Sequence, residues 1–215
     1  MLKIWGRRSS ANVQKVLWLV GELDLPHEHI PAGGDVGGLD SPTFRALNPH
    51  GKVPVIEDGA TVVWESHAIL RYLAAIHGAD RFWPADPAIR APVDGWMDWA
   101  QTALQPAFLG GVFWGFYRTP RAQRDEAAVA SALDRTVRCL TIIDRQLTDR
   151  SFVGGDALSL ADIAVGTHLY RYFELEIPRP TLSRLEAWYD RLRDRPAYRE
   201  HVMVPFGELE GKLAF

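Results

Sequence analysis

The sequence predicts an α/β unit followed by an all-α half, and three observations carry that expectation. Short β-forming runs alternate with helical periodicity over the first part of the chain and are absent from the rest. A stretch rich in Pro, Asp and Ala, residues 79–87, reads as a linker and divides the chain into domains at 1–78 and 88–215. Aromatic residues are uneven: of the eight tryptophans, Trp83, Trp96, Trp99, Trp114 and Trp188 fall after the division, with Phe108, Phe113, Phe116 and Tyr117 clustered among them.

Leu2 to Trp5 reads as the first strand. From Ser10, apolar residues recur at Val13, Val16, Leu17, Val20 and Leu23, the spacing of an amphipathic helix, which Leu25-Pro26 stops. His27 to Ile30 is a candidate second strand, followed by a Gly-rich segment, PAGGDVGG, without phosphate-loop spacing. Ser41 and Pro42 open a short helix that Asn48-Pro49 ends. Val53–Ile56 and Thr61–Trp64 flank Asp58-Gly59, a hairpin signal; Pro54 is out of place in a central strand. The next helix runs from Ser66 to His77, with Gly78 as its stop. The first half therefore reads β-α-β-α-β-β-α.

The second half reads as helices throughout. A long helix starts near Ala88, bent at Pro106 and loosened at Gly110-Gly111; Thr119-Pro120 restarts the chain as an N-cap pair, and helix continues to about Leu147. In DALSLADIAV, Ser159 and Asp162 have capping-box spacing and Leu158 faces Ile163 as a hydrophobic staple. Two helices close the fold, Ser183–Arg193 and Pro196–Val202.

Composition excludes several classes of function. With 215 residues, 47% hydrophobic and 24% charged, the chain is that of a soluble globular protein. A net charge of −3 offers no footprint for nucleic acid or an anionic membrane, and no run is long enough to span a bilayer. The lone Cys139 forbids an intrachain disulfide, fits a cytoplasmic location, and reads as a small core residue of a helix. No Cys–His cluster suggests a metal.

Four local patterns, in this order and spacing, then carry a resemblance: RSSANVQKV at the first strand–helix junction, NPHGKVPV at 48–55, ESHAILRYL at 65–73 and SLADIAV at 159–165. The chain resembles the cytosolic glutathione transferases over nearly its whole length, and more particularly bacterial theta-, beta- and nu-like members. That resemblance implies a thioredoxin-like first domain, a helical second domain, glutathione as co-substrate with no metal, and a homodimer. It implies transfer of the glutathione thiol to a small electrophile. A zeta-like cis–trans isomerase is an alternative, weakened by Ala11 where that class has cysteine. A non-catalytic regulatory member is another, expected to have lost residues retained here.

The chemistry asks for a thiolate, and a free thiol with a pKa near about 8.5 is only a few per cent ionised at neutral pH. A hydroxyl or amide donor at a helix N-terminus favours the ionised form. The resemblance puts Ser9 at the serine of theta- and delta-like classes. It puts Ser10 where beta-like members have cysteine and others a threonine two before an Asn, here Asn12. Either serine, with Asn12, is a candidate, or one is merely the N-cap. The absence of cysteine at the junction disfavours mixed-disulfide chemistry. By the same resemblance Val53-Pro54 is a cis turn that frees the Val53 backbone to pair with an extended peptide. Ser66 meets the γ-glutamyl carboxylate at a helix N-terminus and Glu65 its ammonium, while Lys52 and His50 meet the glycyl carboxylate. Arg7 and Arg8 line the site or its rim. The electrophile pocket is expected from Phe113, Trp114, Tyr117 and Arg118, with Trp114 and Tyr117 sharing a face and Arg118 attracting an anion.

Overall fold

The structure, a computed structural model, describes residues 1–213. Four short strands form one mixed sheet in the order β2-β1-β3-β4: β1 (Leu2–Trp5), β2 (His27–Ile30), β3 (Val55–Asp58) and β4 (Thr61–Trp64). β1 is parallel to β2 and antiparallel to β3, and β3 pairs with β4 in the register Val55↔Trp64. Parallel pairing of β1 with β2 requires a crossover, which α1 (Ala11–Glu22) supplies. β3 is internal and starts at Val55, two residues later than the sequence suggests. Pro54 therefore lies ahead of the ladder, where its missing N–H costs no hydrogen bond. α2 (Pro42–Leu47) is capped by the Ser41 hydroxyl, which accepts from Phe44 N–H at 3.2 Å. α3 (Ser66–His77) completes the β-α-β-α-β-β-α unit.

α1 departs from a simple amphipathic helix. Its apolar residues join the core, yet Gln14 and Lys15, which reach Arg171 and Gln105 of the helical half, are also buried. The reason is tertiary: the helical half closes over α1, with α7 and α10 packing on it. The linker is partly ordered, with one turn of helix, α4 (Ala79–Phe82), before α5 (Pro87–Trp99), which Asp86 caps. Arg195 and Arg81 converge on the buried Glu22 carboxylate, which also accepts from Trp18 Nε1 at 3.0 Å. These bonds hold the linker and the C-terminal helices against the end of α1, and they keep Glu22 ionised despite its burial.

Beyond Trp99 the chain continues in wide turns, Ala100–Leu104 and Pro106–Arg118, whose N–H groups reach carbonyls five residues back; Thr119 N–H, for instance, bonds to Trp114 C=O at 2.9 Å. Gly111 is a point of close approach and does not loosen the helix: a Cβ there would lie 2.5 Å from Ala132 Cβ. Thr119 is not the N-cap of the next helix: its hydroxyl donates back to Trp114 C=O, and no α-helical N–H follows within its reach. α6 (Glu126–Gln146) begins seven residues later, where the Asp125 carboxylate accepts from Ala128 N–H. α7 (Leu160–Gly166), α8 (Leu169–Glu174), α9 (Ser183–Arg193) and α10 (Pro196–His201) follow. The sequence reading passes over α8, which only Thr167-His168 separate from α7. Cys139 is half-buried in α6, and burial pushes its thiol up.

Ser159 and Asp162 form the capping box at α7. The Asp162 carboxylate, with no exposure, accepts from Ser159 N–H at 2.9 Å, Ser159 Oγ at 2.7 Å and Val153 N–H at 2.7 Å. Removing it strands two buried N–H groups at once. Asp162→Ala is expected to lower the unfolding free energy by about 3 kcal/mol, read as a lowered midpoint in urea. A change within error would contradict this account of the α7 cap.

Candidate functional site

β1 runs out at Gly6, whose φ of +150° and proximity to Val13 exclude a side chain: a Cβ there would lie 2.4 Å from Val13 Cγ2. This lets residues 7–10 fold tightly onto the start of α1. Arg7, Ser9, Ser10, Ala11 and Asn12 then line a cavity of about 310 Å³ at the seam between the two halves. Lys52 and Val53 border it from the loop before β3, and Leu109, Phe113, Trp114, Arg118 and Arg171 from the helical half. A larger cavity, about 780 Å³, lies elsewhere between Phe116–Arg124 and the C-terminal turn, and none of the junction residues reaches it.

The two serines differ. Ser10 is the N-cap residue by backbone conformation (φ −81°, ψ 121°), yet its hydroxyl caps no helix N–H. Ser9 is buried, its Oγ makes no hydrogen bond, and its carbonyl accepts from Arg171 Nη2 at 2.6 Å. Asn12, two residues into α1, is oriented from below. Lys15, with 0% exposure, donates from Nζ to Asn12 Oδ1 at 3.2 Å and to Gln105 Oε1 at 2.7 Å, and lies 3.2 Å from His67 Nε2. An ammonium has no lone pair, so the Asn12 oxygen faces Lys15 and its amide N–H₂ is left for the cavity side. Burial depresses Lys15 to about 7, opposed by the Glu65 carboxylate, and depresses His67 to about 2, assisted by Lys15 and Arg71. His67 is thus a neutral acceptor throughout the physiological range.

The Val53-Pro54 peptide is cis. Asn48 shapes the loop before it, accepting from His50 N–H at 2.9 Å and donating to Lys52 C=O at 2.8 Å. Because Val55 pairs with Trp64, Val53-Pro54 and Glu65-Ser66 sit side by side where β3 and β4 leave the ladder. Glu65 is held at φ +72°, a conformation a non-glycine residue rarely adopts, and Ser66 opens the twelve-residue α3. His50 is exposed on its loop and does not line the cavity, and neither do Glu65 and Ser66, which stand at its N-terminal-domain edge.

The electrophile-pocket residues divide. Phe113, Trp114 and Arg118 line the cavity, but Tyr117 does not: it stacks on Phe113 (5.3 Å) and meets Phe206 edge-on (5.1 Å). In this segment residues four apart pair along one face, Phe113 with Tyr117 being one such pair. Trp114 accordingly pairs with Arg118, whose guanidinium lies 3.7 Å from the ring centroid. Phe108 is core, edge-on to Tyr172. Of the two adjacent arginines, Arg7 lines the cavity, whereas Arg8 turns away and donates to Glu200 C=O. Sequence reasoning passed over Lys15, His67, Asn48, Gln105 and Arg171. For Lys15 a signal was present: a cation between Val13 and Val16 in an otherwise apolar helix.

Among the described residues no three His, Cys, Asp or Glu gather as a metal site requires, and no helix is long and apolar enough to cross a membrane. Comparison with known proteins is consistent along the chain. Residues 5–81 match the family model described as "Glutathione S-transferase, N-terminal domain", and residues 126–191 match "Glutathione S-transferase, C-terminal domain". The protein named Glutathione S-transferase GstB of Escherichia coli (strain K12) is 40% identical over 95% of this chain and 99% of its own. Glutathione S-transferase 3 of Zea mays is 30% identical over 94% of this chain and 93% of its own. A crystal structure of the theta class glutathione S-transferase from Xanthomonas axonopodis pv. citri, with glutathione bound, superposes with a TM-score of 0.90 at 46% identity, covering 95% of this chain and 98% of that one.

Lys15 gives the site a pH signature. Its folded pKa, about 7, lies below the ordinary 10.5, so the unfolded chain binds the extra proton between these values and stability rises with pH across that window. Urea unfolding of the wild type and Lys15→Met from pH 6 to 9 is expected to show the wild type gaining stability relative to the variant as pH rises. Parallel curves would remove the depressed lysine.

Proposed function

The chain belongs to the glutathione S-transferase family, and from that premise we propose that Ser10 and Asn12 hold the glutathione sulfur as a thiolate at the N-terminus of α1. It conjugates glutathione with small electrophiles. One observation supports the assignment above the others: the Ser10 hydroxyl caps nothing, and the adjacent Asn12 amide is turned by Lys15 so that its donors are free for the cavity. Ser9 is the weaker candidate of the two serines, because its Oγ is sealed from solvent. Two neutral donors and the positive end of a twelve-residue helix all favour a sulfur anion. Lys15 adds a cation one layer below. Since its proton is loosely held in the absence of a neighbouring anion, a thiolate bound above Asn12 raises its affinity for that proton.

The rest of glutathione follows from the same geometry. Residues 1–78 receive the tripeptide, its backbone along Val53-Pro54, its γ-glutamyl end at the α3 N-terminus by Ser66 and Glu65, and its glycyl carboxylate toward Lys52, with His50 at the rim. The helical half from residue 88 supplies the electrophile's wall through Phe113, Trp114 and Arg118. Retention of every thiolate donor favours catalysis over a purely regulatory role. We place the enzyme in the cytoplasm as a homodimer. Val62 and Trp64, on the outer face of edge strand β4, are 40% and 41% exposed, and a second copy is the occupant that the family resemblance supplies for them.

Two experiments test this reading. With glutathione and chlorodinitrobenzene, Ser10→Ala and Asn12→Ala are expected to lower kcat about tenfold or more with a small change in glutathione KM, and to raise the pKa of bound thiol read by thiolate absorbance. Ser9→Ala is expected to have the smaller effect; the reverse order would move the role to Ser9. In solution the protein is expected at twice its chain mass, and Trp64→Asp is expected to shift it toward monomer. A monomeric wild type would refute the dimer.

A further inference from the structure

The cavity wall carries four cationic side chains, Arg7, Lys52, Arg118 and Arg171, and no Asp or Glu among its described lining residues. For a site that takes nonpolar electrophiles this is an unsuitable wall. Lys52 faces the loop end assigned to the glycyl carboxylate, which leaves three guanidiniums gathered toward the helical half. Arg171 is the most demanding. It is 3% exposed, and its hydrogen bonds go to neutral acceptors, the Ser9 carbonyl at 2.6 Å and Gln14 Oε1 at 3.4 Å, while its buried Nε makes none. The Phe113 ring lies 4.8 Å beneath it. Buried charges are normally met by an opposite charge at hydrogen-bond distance; this one makes no such bond to a carboxylate and feels two like charges more strongly than the one carboxylate that acts on it, Glu208.

We infer that the cavity takes a small electrophile bearing its own anionic group, a carboxylate or similar oxyanion, held by Arg7, Arg118 and Arg171 beside the glutathione sulfur. The inference rests on the glutathione-transferase reading of the same cavity and narrows its second substrate. Two further observations agree with it. Mutual repulsion adds to burial in depressing Arg171 to about 9 and Arg118 to about 10, which an incoming anion would relieve. Against it stand two exposed carboxylates, Glu208 acting on Arg7 and Arg171 and Asp35 acting on Arg7, yet on Arg171 Glu208 counts for less than either neighbouring arginine. Finally, Arg171 is bonded to the residue next to Ser10, so an anion held there sits within reach of a sulfur at the α1 N-terminus. The reaction itself needs no other reagent. The thiolate lone pair forms a C–S bond at a carbon carrying a leaving group, the leaving group departs with its electron pair, and the carboxylate is unchanged. The arginines offset the repulsion between the two anions that must approach.

A matched pair of aryl chlorides tests this: a chloronitrobenzoate and its carboxamide, alike in shape and differing in charge. The carboxylate withdraws electrons less than the amide, so the charged compound is intrinsically the slower, and each rate is normalised to its uncatalysed reaction with glutathione. We expect wild-type kcat/KM to favour the benzoate by at least about tenfold. Arg7→Gln, Arg118→Gln and Arg171→Gln are each expected to reduce that ratio about tenfold, through the KM of the benzoate, with the KM of glutathione little changed, and Arg171→Lys to restore part of it. The ratio is read within one preparation, so partial misfolding cancels. Loss of activity on both compounds equally, or a rise in glutathione KM instead, would overturn the inference by assigning the arginines to the thiolate or to glutathione. If chlorodinitrobenzene is turned over and the benzoate is not preferred, only this inference fails. If chlorodinitrobenzene is not turned over at all, the transferase reading fails with it.

Discussion

Lys15 carries an ammonium with no solvent exposure at the seam between the sheet domain and the helices, and a cation in that position must be met by acceptors from every element around it. Those acceptors come from three places: Asn12 on α1 itself, His67 on α3, and Gln105 between the two wide-turn segments of the helical half. One side chain therefore joins the N-terminal turn of α1, the first turn of α3 and the wide-turn region of the helical half. The relative placement of these three elements is constrained by hydrogen bonds of defined length and direction. Hydrophobic contact alone, being non-directional, would not impose such a constraint.

The same constraint explains the chemistry of the junction. A helix N-terminus offers N–H groups without partners, and an N-cap side chain ordinarily consumes one of them. Here Ser10 occupies the N-cap position while its hydroxyl remains uncommitted, and Asn12 is turned by the lysine so that it adds a donor on the same side. Cap and catalyst are thus compatible at one residue: backbone conformation satisfies the first role and the free hydroxyl is available for the second.

The helical half contributes through its unusual winding. In the wide-turn segments from Ala100 to Arg118, Tyr117 packs against Phe113 and Phe206 while Trp114 and Arg118 stand at the cavity. Arg118 then joins Arg7 and Arg171, residues separated by more than a hundred positions in sequence, on one wall. A cavity of this charge selects among electrophiles by the field it presents as well as by shape.

Much of this was legible from local pattern. The strand–helix order of the first half, the hairpin at Asp58-Gly59, the cap at Ser41 and the capping box of Ser159 and Asp162 are decided within a few residues, and they appear where periodicity and turn chemistry place them. The junction motif likewise lies on the cavity, because donor-rich helix starts are written in contiguous residues. What local pattern could not supply is which polar residues are buried together. Lys15, Gln105, His67 and Arg171 read as ordinary members of their helices until the two halves close on α1, since burial of a side chain is a property of what packs over it. The sequence by itself determined the elements and the donor-rich junction at the start of α1. Only the tertiary structure decided that the Ser9 hydroxyl is buried and Ser10 half-exposed, that Tyr117 faces away from this cavity, and that three arginines from distant segments share it, because each depends on helix packing across the seam and none on neighbours in the chain.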